Sequence, residues 1–79
     1  MGYYELQQTT NEFVLDTAMS LDEKPISEAQ LTKLVNTYIR KVARTKEGKL
    51  DLADVLGLKK VENILPSLVR RVKNTQKIK

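Results

Sequence analysis

Apolar residues recur along this 79-residue chain at spacings of three and four, with no strand-like alternation longer than a few residues. The clearest stretch is Ile26–Arg44, where Leu31, Leu34, Val35, Tyr38, Ile39 and Val42 fall on one helical face. Its start is specified as well. Ser27 is placed to cap the open backbone N–H groups, Gln30 to complete a capping box, and Ile26 and Leu31 to flank it as a hydrophobic staple. Thr45–Lys49 is expected to end this helix, with Gly48 in the left-handed closing turn. Arg40, Lys41 and Arg44 suit the negative end of its dipole.

The same spacing predicts three further helices. Leu6, Thr10, Phe13, Val14, Thr17, Ala18 and Leu21 trace a stripe over Tyr3–Leu21. Thr9, Thr10 and Asn11 compete for backbone hydrogen bonds, so a start at Asn11 with residues 1–10 as a flexible arm is the alternative. Pro25 holds Lys24 extended and separates the first two helices. A short third helix is expected to be capped by Asp51, to bury Leu52, Val55 and Leu56, and to stop at Gly57. A fourth, starting near Leu58 or Lys59, keeps Val61, Ile64, Leu65, Leu68, Val69 and Val72 in phase across Pro66, which predicts a kink there. Asn74–Lys79 is a basic tail expected to fray. The chain is too short for two cores, so residues 1–79 are expected to form one all-α domain of four helices packed around the second and fourth.

Lys49–Lys60, KLDLADVLGLKK, resembles the first half of a helix-turn-helix motif. Leu52 and the small Ala53 precede the Leu56-Gly57-Leu58 turn by the motif's spacing; the small residue admits a close second helix and glycine the sharp turn. The likeness ends there, because the next apolar positions of the motif fall on Asn63 and Pro66.

Charge adds a polarity that the helical pattern does not contain. Residues 1–30 hold six acidic side chains against Lys24 alone, a net −5; residues 31–79 hold thirteen basic against four acidic, a net +9. Such a split implies either a basic surface for a polyanion or two parts that neutralise one another in the fold. Glu5, Glu12 and Asp16 are candidates for internal pairing with the basic side of the second helix, the commoner outcome, or for an acidic surface that meets a basic partner. The basic residues of first interest are Lys59, Lys60, Arg70, Arg71 and Lys73 on the fourth helix, with Arg40, Lys41 and Arg44 on the second next. Most are expected to meet phosphates, and Lys60 with Asn63 to reach bases. Tyr3 and Tyr4 are expected to dock on the core rather than on a partner.

The remaining chemistry is mostly excluded. With no cysteine and no histidine, disulfides, thiolate metal sites and the commonest acid–base catalyst are absent, and neither a glycine-rich phosphate loop nor a calcium loop is present. No enzyme activity, metal, cofactor or small-molecule substrate is expected. Without a leader-like start or a long apolar run, a cytoplasmic protein away from membranes is expected. Two functions fit: a DNA-binding regulator acting as a homodimer, or a protein-interaction module, an adaptor or inhibitor of a larger protein.

Overall fold

The computed structural model describes residues 2–76. They form α1 (Tyr3–Glu23), α2 (Glu28–Val42), α3 (Lys46–Val55), a 3₁₀ turn at Val61–Asn63 and α4 (Ile64–Thr75), with no strand among the described residues. This is the small all-α bundle of four helices that the periodicity predicts.

The first helix does not wait for Asn11. Glu5 accepts a hydrogen bond from the Gly2 backbone N–H at 3.2 Å, and Leu6 and Thr10 are buried, so the first two turns are both capped and packed. Tyr3 lies near Asp54 of α3; desolvation first, and then that carboxylate, raise its hydroxyl pKa above the ordinary value. Neither tyrosine is buried in the core as expected: Tyr3 is 39% and Tyr4 80% exposed, and their rings meet edge to face with centroids 5.6 Å apart.

The start of α2 follows the predicted capping box. The Gln30 backbone N–H donates to Ser27 Oγ, and the Ser27 N–H to Gln30 Oε1, both at 3.2 Å. Its end comes earlier than expected. The helix closes at Val42, with the Ala43 N–H donating to the Ile39 carbonyl, and Arg44 lies beyond it. Gly48 takes no part in that closure. Thr45 Oγ1 accepts from the Gly48 backbone N–H at 3.0 Å, so Thr45 caps α3 and Gly48 belongs to its first turn. Asp51, the expected cap, is therefore inside α3. A side chain at Gly48 would press on the Ala43 backbone at 3.3 Å, so glycine lets the two helices join closely.

Gly57 ends α3 as predicted, with φ of 73°. Its N–H donates to the Asp54 carbonyl, and the Leu58 N–H reaches back to Ala53, the paired closure of a Schellman motif. The fourth helix cannot start at Leu58 because that residue is used in this closure. A 3₁₀ turn precedes it, and α4 proper begins at Ile64. Pro66 is then its third residue, in the turn whose N–H groups have no helical partner in any case. Asn74 and Thr75 complete α4, whereas the rest of the predicted basic tail, residues 77–79, lies outside the described residues.

Helices α1 and α2 both pack on α4, and α3 packs on α1, so the bundle is centred on α1 and α4 rather than on α2 and α4 as expected. Ile64, Leu68 and Val72 are each no more than 2% exposed, and α1 and α2 both pack against them. Glu28 at the start of α2 meets Lys73 near the end of α4, so these helices run antiparallel. Contact between α1 and α2 is made by long side chains. Phe13 stacks on Tyr38 with ring centroids 4.0 Å apart, and Thr10 Oγ1 shares a buried 3.0 Å hydrogen bond with the Tyr38 hydroxyl. Leu34, expected in the core, is 45% exposed.

The Thr10–Tyr38 pair supplies two predictions. Tyr38→Phe and Thr10→Val should each destabilise the fold by about 1 kcal/mol, and the double variant by less than their sum, in urea unfolding; full additivity would mean no coupling. Burial raises the Tyr38 hydroxyl above its ordinary 10.0, although the bond from Thr10 lowers it in part. The folded state thus holds that proton more tightly. The contribution is complete below pH 10.0 and is lost as pH rises through the folded value. Tyr38→Phe should lack this part of the alkaline loss of stability.

Candidate nucleic-acid interface

One open concavity lies where α2 meets α3, two more lie along the antiparallel seam between α2 and α4, and a fourth lies where the 3₁₀ turn meets α4. Asn36, Ile39, Arg40, Ala43, Arg44 and Lys49 line the first. Asn36 also lines the second, with Lys33, Thr32 and Leu65. Thr32 and Leu65 continue into the third, with Glu28, Pro66, Val69, Arg70, Lys73 and Asn74. Pro66 and Arg70 pass into the last, beside Leu58, Asn63 and Ser67. Neighbouring concavities share lining residues; the half-buried Leu65 lines both of those in the seam, and the half-buried Val69 one of them. The series, taken together as a groove, follows α2 for about 22 Å, from a rise of 1.5 Å per residue.

The charge of this groove is one-sided. Lys33, Arg40, Arg44, Lys49, Arg70 and Lys73 line it, and Glu28 is its one carboxylate. Glu28 pairs with Lys73, the one ion pair among the described residues. Both partners are exposed, so this pair is worth little, of order 1 kcal/mol or less. The carboxylates of α1 pair with none of these cations. Glu28 belongs to the acidic first part of the sequence and Lys73 to the basic remainder, so this pair is the direct ion pairing between the two parts among the described residues.

The candidate contacts separate accordingly. Arg40 and Arg44 share one concavity, Asn63 and Arg70 another, and Lys73 lines a third with Arg70, where it is the partner of Glu28. Lys41 is turned about 100° from Arg40 around α2 and lines none of these concavities. Arg71 turns toward α3, where its guanidinium donates to the Leu56 carbonyl at 3.4 Å and helps to close that helix. Lys59 and Lys60 are exposed in the link before the 3₁₀ turn rather than at the first turn of α4. Asn63 stands at the N-cap position but makes no capping hydrogen bond, which leaves its amide free at the end of the groove. Lys49 was hidden in the sequence by the expected loop at Thr45–Lys49; the Thr45-x-x-Gly48 spacing is the signal that places it on α3.

The helix-turn-helix likeness does not extend to the packing. Eight residues separate Val55 from Ile64, and the 3₁₀ turn packs on α3 where the motif would set its second helix. No family model, no curated protein and no solved structure matches this chain. No described helix is long and apolar enough to cross a membrane.

Removing the lone carboxylate tests the electrostatics of the groove. Glu28→Gln should change stability by less than about 1 kcal/mol. It should strengthen heparin retention on a column, because Lys73 is released and no acid remains in the groove. Unchanged retention would mean that a polyanion does not meet this face.

Proposed function

We propose that this chain is a small DNA-binding regulator that holds the phosphate backbone along the α2–α4 groove. The observation that carries the reading is the series of neighbouring concavities along α2 and α4, with six cations and one carboxylate among their lining residues. Arginine and lysine on such a face neutralise phosphates and release counterions, which supplies affinity without regard to sequence. About 22 Å of α2 corresponds to roughly six base-pair rises of 3.4 Å. Base contacts fall to Asn63 at one end of the groove and to Lys60 in the neighbouring link. Backbone contact by the seam, rather than insertion of α4, is the mode this supports, since α4 is covered on two sides by α1 and α2. A homodimer would present two such grooves, and a cytoplasmic location accords with the reading.

A labelled duplex titrated at two salt concentrations tests it. Affinity should fall steeply with salt, and Arg40→Ala, Arg44→Ala and Arg70→Ala together should reduce the logarithmic salt slope by about 2.7. Arg40→Ala should weaken binding more than Lys41→Ala, although each removes one charge from adjacent positions. Absence of binding at low salt, or equal loss in those two variants, would refute the assignment.

A further inference from the structure

Helix α1 carries a second surface that the groove does not use. Its buried side is made by Leu6, Thr10, Val14, Thr17, Ala18 and Leu21. On the opposite side Tyr4, Leu15 and Met19 are 80%, 51% and 59% exposed. At 100° per residue these three fall within one sector of about 60° and span roughly 22 Å; the exposed Gln8 and Asp22 share that sector, so the stripe is contiguous at Leu15 and Met19 and Tyr4 stands apart from them. Beside it, about 70° round the helix, Glu5, Glu12, Asp16 and Glu23 form a row, since their spacings of seven, four and seven keep them in one narrow sector. No basic residue lies between Tyr3 and Glu23, and none of these carboxylates is in an ion pair among the described residues.

Large apolar groups held in water beside a single-signed row of charge are the two halves of a helix-docking face. Charge chooses the occupant. A second copy pairing through the same face would set one acidic helix against another, and such like-charge juxtaposition costs several kcal/mol. We infer that the outer face of α1 docks a basic amphipathic helix of another protein. Aliphatic side chains of that helix cover Tyr4, Leu15 and Met19, and lysines or arginines along one of its flanks meet Glu12 and Asp16. The partner helix needs about four turns to cover the stripe. This surface is independent of the nucleic-acid groove, so either can fail alone.

The test uses the full chain and a labelled peptide of about twenty residues built from leucine, alanine and lysine, with leucines on one helical face and lysines along one flank. Fluorescence anisotropy should show saturable binding. Leu15→Ser with Met19→Ser, which leaves the charge unchanged, should weaken it at least tenfold, and so should Glu12→Gln with Asp16→Asn. Arg40→Ala with Arg44→Ala should leave it unchanged. A scrambled peptide of the same composition should bind at least tenfold more weakly. Equal binding of the scrambled peptide, or of the Leu15/Met19 variant, would reduce the interaction to bulk charge and overturn the proposal. So would a dimer by light scattering that the Leu15/Met19 variant abolishes. Circular dichroism confirms that each variant remains helical.

Discussion

Burial of the Ile64–Leu68–Val72 stripe is the constraint from which the rest of the molecule follows. These side chains recur at four-residue intervals and are almost wholly removed from water. Each contributes about 1.5–3 kcal/mol by its transfer alone. A helix of twelve residues cannot bury that stripe unaided, so α1 and α2 close over it from two directions. Once they do, Pro66, Arg70 and Lys73 have one place left, the outer edge of the α2 seam. The groove is thus a consequence of how the core is covered.

The charge distribution makes physical sense in the same terms. Opposite charges separated along a sequence attract, but exposed pairs gain little and lose side-chain freedom. The helices are positioned by their apolar faces, and among the described residues an ion pair results only where two ends meet, at Glu28 and Lys73. The other charges stay in water on separate faces: a cationic groove at the α2–α4 seam and an acidic flank on α1.

Most of the helical architecture was legible because a 3.6-residue period is a local property. The stripes of α1 and α4 and the Ser27–Gln30 box of α2 depend on neighbours within one or two turns, and they appear as the spacing predicts. Errors collect where two local solutions compete. Both Gly48 and Gly57 can close a helix, yet only Gly57 takes a positive φ. Thr45 and Asp51 can each cap α3, and Thr45 wins with a hydrogen bond to the Gly48 N–H that also extends the helix by a turn and more.

From residue order alone come the class of fold, the number of helices, the uneven charge and the absence of cysteine and histidine chemistry. These need only composition and short-range periodicity. Which residues a cation meets was decided by tertiary structure: Arg40 lines a concavity with Lys49 of α3, and Arg70 lines another with Glu28 and Thr32 of α2, whereas Lys41, next to Arg40, lines neither. Arg71 likewise looks like its neighbours in sequence but spends its guanidinium on the Leu56 carbonyl. The reason is geometric. A single turn of helix rotates adjacent side chains about 100° apart, while packing brings distant ones together, so the company a charge keeps is set by which helix covers which.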